Sequence, residues 1–471
     1  MPAPSTSNVI ADRESVGRPE RSGEGRSARK IVPRRALADW SPDGRGHDAL
    51  TTILAQNEFR AQDLLPIRHG RMAASPWTYF RGAAAVMAAD LASTPNTGIT
   101  VQLCGDAHVL NFGLWNTPER NLSFDLRDFD ETLPGPFEWD VKRLVASVVV
   151  LARDSGLSAK AARQSASAAY RGYADAIAKY ATMPEIDIWY DRFDVEELVG
   201  HLAPYDADEI GGQIGSQARK RTSRGASKKL TTVVDGHRKI IEDPPFRTHV
   251  LSDEDVDPDL IAAAYRGSVP DHVWSLLSRF DIVDAVRQVV GVGSVGMLVY
   301  LVLMEERRTL DPFFLQIKQA GPSVYEKFLE PSRYPHHGQR VIKGQRMIQS
   351  ATDIFVGWTT NAGKDFYVRQ FRDGKVIPKG ETIADRLANF AKACGWVLAR
   401  AHARSGDAAA IADYLGTGEK VQDAFAAFAV VYAEQNERDH AQLAAAVADG
   451  SVRVAVGWGQ STALRAELDP T

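Results

Sequence analysis

Apolar positions recur at helical spacing over much of this chain and at alternating or continuous spacing over shorter runs. Within residues 40–65, Ala49, Leu50, Ile53, Leu54 and Phe59 follow a helix-like period. After Pro76 the run RGAAAVMAADLA predicts a helix, because alanine and straight-chain residues lose little freedom there. Residues 144–152 read as a buried helix and residues 159–180 as an Ala-rich amphipathic one. Long helices are predicted over 382–404 and 425–447. Strand-like runs cover 99–104 and 122–129, with a turn-rich 115–121 connection that predicts a hairpin with polar groups at its mouth.

Further along, 236–246 reads as a strand stopped by Pro244-Pro245, and 297–304 and 312–320 as two strands around a charged turn. Residues 323–329 and 338–349 read as helices around a loop holding His336 and His337. A hairpin is expected from 354–359 and 366–371 across Asn361-Ala362-Gly363, with 374–380 as a connection between lobes. Residues 1–36 show no apolar period and read as a disordered tail. The pattern predicts an α+β chain with a largely helical lobe over 37–280, a smaller antiparallel-sheet lobe over 281–380, and helices over 381–471 that pack back on the first lobe.

Composition changes this picture little. A chain of 471 residues with 44% hydrophobic and 25% charged side chains is ordinary for a globular protein with more than one core. Net charge is −4, from 56 basic and 60 acidic residues, which argues against nonspecific nucleic-acid binding as the main activity. Two cysteines cannot build a disulfide framework, and no run reads as a signal peptide or a membrane span. A cytoplasmic protein is expected. The basic run at 217–229 reads as a solvated helix face or loop, or else as an approach to an anionic substrate.

The candidate chemistry lies in residues 101–147, which hold Asp106, His108, Asn111, Asp125, Asp128, Asp130, Glu131, Glu138 and Asp140 between apolar runs. Asp106 and Asn111 span a tight loop, and Asp128 returns to the same place at the end of the next strand. Two carboxylates and an amide oxygen make a hard donor set suited to Mg²⁺, and a carboxylate off the metal can orient or deprotonate a hydroxyl. His108 reads as a hydrogen-bonding group rather than a ligand, since no second His lies at metal spacing. Arg68, His69, Arg71 and Arg81 surround an aromatic run and either clamp phosphate or pair with these acids. A second informative stretch places Gly291, Gly293 and Gly296 ahead of two strands, the second bearing Lys318. Glycines let backbone amides approach phosphates, and the lysine can neutralise them.

The run Gly105-Asp106-Ala107-His108-Val109-Leu110-Asn111, the Asp128-Phe129 after the next strand, and Glu138-Trp139-Asp140-Val141 resemble the catalytic loop of protein kinase-like proteins, in particular the aminoglycoside and choline kinase-like branch. That resemblance implies a kinase-like two-lobed fold with ATP and Mg²⁺. Asp106 would be the catalytic base, Asn111 and Asp128 the magnesium ligands, and Asp140 a brace for the loop, with Cys104 standing where that branch carries His. It also implies that Gly291, Gly293 and Gly296 cover the phosphates and Lys318 holds them, with Glu326, or next Glu330, as the helical partner of Lys318. His108, Asp130 and Arg81 would support the site. The glycines and Lys318 follow Asp106 by roughly two hundred residues, which implies a circular permutation of the kinase order.

The runs RMAASPWTYFRGAA, CGDAHVLNFG, FDLRDFDETLPGPFEWDVKRL and LARAHARSGD are similar to a bacterial family called domain of unknown function 2252. That family carries no settled activity. The expected function is an Mg-ATP-dependent phosphotransferase acting on a small-molecule or protein hydroxyl. The alternatives are a nucleotide-binding regulatory protein without transfer activity, and a metal-dependent hydrolase using Asp106, His108, Asp128 and Asp130.

Overall fold

A computed structural model describes residues 18–202, 222–249, 264–371 and 384–455, together with residues 216 and 220. The fold is α+β. Its sheets are small and antiparallel, and the helices make up most of the rest. Among the described residues no helix is long and apolar enough to cross a membrane.

Four short strands sit inside the helical part: β1 (Thr100–Leu103), β2 (Phe112–Asn116), β3 (Leu122–Leu126) and β4 (Leu133–Pro136). The hairpin expected between 99–104 and 122–129 does not form. β3 pairs with β2, and β1 pairs with β4. The sequence misleads because β4 reads Leu-Pro-Gly-Pro, a turn composition. A two-stranded ribbon tolerates it, since a proline needs only an outward-facing N position at an edge.

Behind these strands the helices Phe137–Asp154, Ala159–Tyr180, Leu387–Ala403 and Glu419–Ala448 share one apolar core. Gly172 and Gly395 let two of them approach closely, since a Cβ on either would lie 2.0 Å from a backbone oxygen of the other helix. The expectation for 1–36 divides. Residues 1–17 lie outside the described residues, whereas Arg18–Ile31 is a helix, followed by a 3-10 turn at Arg34–Ala38. That helix lacks an apolar period because polar bonds to a neighbour's end do part of the holding. Arg29 and Arg34 both donate to the Tyr414 carbonyl at the C-terminus of the Ala408–Leu415 helix, where unpaired carbonyls and the helix dipole favour cations.

The larger sheet has six strands: β7 (Arg247–His249), β8 (Phe280–Gln288), β9 (Val299–Glu306), β10 (Pro312–Ala320), β11 (Gly357–Asn361) and β12 (Lys364–Gln370), in the order β11-β12-β10-β9-β8-β7. The small hairpin of β5 (Thr231–Val234) and β6 (His237–Ile240) lies beside it. From Val299 to Met304 β9 is apolar because both its faces are covered there. Tyr300, Val302 and Met304 join one cluster, and Leu301 and Leu303 join the other. The chain leaves β10, forms the helix His337–Ile348, and returns as the β11–β12 hairpin through Ala362 and Gly363, both at positive φ. The expected connection at 374–380 lies outside the described residues. In the basic run, 217–219 and 221 also lie outside them; Ser223–Leu230 is a helix that buries Ala226, Ser227 and Leu230 and exposes Arg224, Lys228 and Lys229.

Candidate functional site

The segment after β1 is held from behind. Asp140, fully buried in the first turn of the Phe137–Asp154 helix, accepts the N–H of Cys104 at 2.7 Å and of Gly105 at 3.0 Å. His402 approaches the same carboxylate at 3.3 Å, and its other nitrogen meets Tyr173 Oη at 2.8 Å. The Tyr325 hydroxyl donates to the Gly105 carbonyl at 2.5 Å. Gly105 sits at φ 88°, and a Cβ there would lie 2.3 Å from the Glu131 carbonyl, so only glycine fits this turn. Cys104 is buried, and its Sγ donates to the Asp128 carbonyl at 3.4 Å.

This bracing delivers Asp106 to the wall of a cavity of about 770 Å³ that lies between the helical part and the larger sheet. Asp106, His108, Asn111, Asp128, Asp130, Glu131, Arg81, Glu326, Gly291, Gly293 and Lys318 all line it. Residues separated by most of the chain are therefore brought together. Gly296 lies just behind the lining, packed on Arg60.

Asp106 meets Arg143 one turn beyond Asp140, with Arg143 Nε 2.9 Å and Nη2 2.8 Å from the same oxygen. Arg143 is fully buried, stacks over Phe80 at 3.9 Å and donates to the Phe80 carbonyl. Burial pushes the Asp106 carboxyl up from its ordinary value, against the pull of Arg143. The second Asp106 oxygen lies 3.8 Å from His108 Nε2. Burial, and after it Arg81, Arg143 and Arg127, push His108 well below the ordinary histidine range, so its ring is neutral.

Asn111 donates its amide N–H to the carbonyls of Asp106 at 2.8 Å and Asp128 at 3.1 Å. Both donors are committed to backbone, which leaves the side-chain oxygen as its acceptor. The Asn111 oxygen and the Asp128 carboxylate are hard donors on one cavity wall and fit Mg²⁺, which takes one or two carboxylates together with substrate phosphates. Among the described residues no group of three or more His, Cys, Asp and Glu is placed to hold a metal by itself.

Lys318 enters from β10. Its neighbours Phe313, Leu315 and Ile317 face an apolar cluster of the sheet, so Gln316 and Lys318 face the other way, into the cavity. Lys318 pairs with Asp130 and lies 3.8 Å from Asp128, while the Tyr367 hydroxyl donates to Asp130 at 2.8 Å. Burial opposes its charge, but Asp128 and Asp130 more than reverse this and raise its pKa above the ordinary lysine value. Glu326 is not its partner. It caps its own 3-10 turn and lies 3.5 Å from Arg340. Glu330 is exposed. Arg340, on the following helix His337–Ile348, bonds the carbonyls of Asp130, Thr132 and Gly321. Glu131 accepts the Val324 N–H, and burial pushes its carboxyl up to about 7.

The glycine segment joins β8 to β9, with Gly291 at φ 67° and Gly296 at φ 93°. Arginines from the N-terminal side donate to its carbonyls, Arg71 to that of Gly291 and Arg60 to those of Gly293 and Val295. Arg68 bonds Gln56 and the Gly82 carbonyl, and His69 bonds Asn57 and the Arg453 carbonyl. Among the described residues Arg68 does not pair with the acids, since its partners there are the Gln56 amide oxygen and the Gly82 carbonyl. Sequence reading also missed Arg143, although its spacing from Asp140 put both on one helix face. Arg60, Arg127 and Arg369 were missed as cavity residues; only their cationic character marked them.

No curated protein and no solved structure matches the chain. A family model matches residues 60–446, a span that begins at the cavity residue Arg60 and takes in Asp106, Asn111, Asp128, Lys318 and His402. The chain therefore belongs to the family described as "Uncharacterized protein conserved in bacteria (DUF2252)".

Proposed function

We propose that this protein is an Mg-ATP-dependent phosphotransferase with a circularly permuted kinase-like arrangement, acting in the cytoplasm on a hydroxyl of a small molecule or protein. One observation carries the reading. Lys318 lies 3.8 Å from Asp128 in the cavity that Asp106, Asn111 and the glycine segment also line. Phosphoryl transfer needs little covalent help from the protein, so positioning and charge stabilisation are the main requirements, and these residues supply both.

In this reading Asn111 and Asp128 would hold a magnesium ion, which when bound would supply charge neutralisation for the phosphates. Lys318 and the glycine segment hold the nucleotide end of the cavity. The Asp106 oxygen not bonded to Arg143 orients the acceptor hydroxyl and takes its proton. Asp140 keeps that loop in place through the Cys104 and Gly105 amides.

A second reading, nucleotide binding without transfer, draws on Arg143. It occupies one oxygen of Asp106 with two donors and leaves a single oxygen for an acceptor hydroxyl. One experiment separates the two. ATP with Mg²⁺ is expected to raise the melting temperature, and γ-phosphate is expected to be consumed in the presence of acceptor mixtures. Asp106→Asn should cut turnover by about 10²–10⁴-fold while leaving nucleotide binding largely intact. Stabilisation by ATP with no consumption under any acceptor favours the regulatory reading, and unchanged turnover in the Asn variant removes Asp106 from the mechanism.

A further inference from the structure

Arg60 follows the 3-10 turn Gln56–Phe59 and lines the cavity beside the glycine segment. Its Nη1 donates to the Gly293 carbonyl at 2.8 Å and the Val295 carbonyl at 2.5 Å, and the next residue, Ala61, donates its N–H to the Gly296 carbonyl at 2.8 Å. A Cβ on Gly296 would lie 2.8 Å from the Arg60 side chain, so that glycine is required for this approach. Each trans peptide unit points its N–H opposite to its C=O. The two Nη1 bonds therefore also fix the directions of the Ser294 and Gly296 N–H groups.

The partners of Arg60 are neutral. Among the described residues no carboxylate lies within ion-pair distance of it; Glu131 and Asp130 act on it only from further away. Burial pushes its pKa down to about 10. Near it, among the described residues, fully buried Arg68 bonds Gln56 and the Gly82 carbonyl and no carboxylate, so a second guanidinium adds positive potential. A desolvated cation with only carbonyl partners is costly, and an anion brought into the cavity relieves that cost. A guanidinium fork suits phosphate oxygens in particular.

We infer that Arg60 is the anion-binding residue at the glycine end of the cavity, holding the Gly293 and Val295 carbonyls with one nitrogen and presenting its remaining donors to a phosphate of the bound nucleotide. The inference rests on the nucleotide reading of the cavity, and it makes the N-terminal strap around 56–61 part of the phosphate site.

The test is calorimetric titration of the full chain with Mg²⁺ and, in turn, ATP, pyrophosphate and adenosine. Wild type is expected to bind ATP and pyrophosphate. Arg60→Gln should weaken both by at least about tenfold and leave adenosine affinity unchanged. Wild-type affinity for ATP and pyrophosphate in the Gln variant overturns the assignment. Pyrophosphate binding that depends on Arg60, in a protein that ignores ATP, sustains the anion site and sinks the nucleotide reading alone. A wild-type protein that binds neither overturns both. Should the Gln variant not fold, Arg60→Lys retains a donor for the carbonyls and decides. It is expected to lose at least about threefold in pyrophosphate affinity because it lacks the planar fork, and full affinity in it overturns the assignment.

Discussion

Lys318 on β10 and Asp128 beyond β3 stand 3.8 Å apart, and Lys318 also pairs with Asp130, from which it is separated by 188 residues of sequence. The contact joins the sheet to the loop that Asp140 braces. Lys318→Met removes the cation that pairs with the Asp130 carboxylate and leaves it, half-buried beside Asp128, with the Tyr367 hydroxyl as its remaining side-chain donor among the described residues. Solvent reaches both carboxylates, so the loss is smaller than for a fully buried pair and is expected at about 1–3 kcal/mol. The variant is expected to unfold at lower denaturant concentration and to lose its stabilisation by ATP and Mg²⁺. Retained stabilisation at wild-type ATP concentrations would show that Lys318 does not meet the phosphates.

Asp140 makes a separable contribution. Both its oxygens accept backbone N–H groups, from Cys104 and Gly105. Asp140→Asn offers one oxygen and one NH₂, so one buried N–H faces a donor, at a cost of about 1–3 kcal/mol. The loop bearing Asp106 shifts while the nucleotide end of the cavity is untouched. Turnover should fall at least about tenfold with nucleotide affinity nearly constant, because small misplacements of a reacting group are expensive. Equal losses in turnover and nucleotide affinity would point to general unfolding instead.

Arg400 and Asp125 form a fully buried pair at 2.5 Å that ties the Leu387–Ala403 helix to β3. Asp125 also accepts from the Ser350 N–H and hydroxyl. Arg400→Met leaves the Asp125 carboxylate buried with only neutral donors among the described residues, the Ser350 groups and the Leu126 N–H, and equilibrium denaturation should register a loss of roughly 3–5 kcal/mol. Adding Asp125→Asn removes the uncompensated charge and should recover part of that loss. A double variant as unstable as the sum of its singles would mean the pair does not interact.

Elements with a clear period were legible in the sequence. Residues 159–180 form the helix as expected, and Lys318 lies on the predicted 312–320 strand. The loop from Gly105 to Asn111 could be singled out because acids between apolar runs need a reason to be there. Three things could not be read. The pairing of β1 with β4 is hidden by two prolines in β4. The helix Arg18–Ile31 depends on Arg29 donating to a carbonyl 385 residues away. The partners of Lys318 are set by which carboxylates the folded loop delivers, and no spacing rule specifies that Asp130 is chosen over Glu326. In each case a long-range polar contact decides, and such contacts leave no periodic trace.

Lys142 gives a pH-dependent prediction away from the cavity. It is buried in the Phe137–Asp154 helix with its ammonium 4.7 Å from the centre of the Phe428 ring. Burial holds its pKa down to about 8, against the opposing pull of Glu138 and Asp39. An unfolded chain restores the ordinary lysine value of 10.5. Between these values the folded state binds fewer protons than the unfolded one, so this group makes stability rise with pH across that window. Below about pH 8 both states are charged and the full burial cost is present. Buried tyrosines such as Tyr173, whose pKa burial raises, act in the opposite sense above about pH 10. The contribution of Lys142 is therefore read as a difference between proteins. Lys142→Met keeps the apolar stem and removes the charge, and it should stabilise the fold at pH 7 by on the order of a few kcal/mol. That gain should shrink as pH rises from 8 towards 10.5. Urea denaturation of both proteins at four pH values measures it, and a stability difference that stays constant over the window would show that Lys142 does not titrate there.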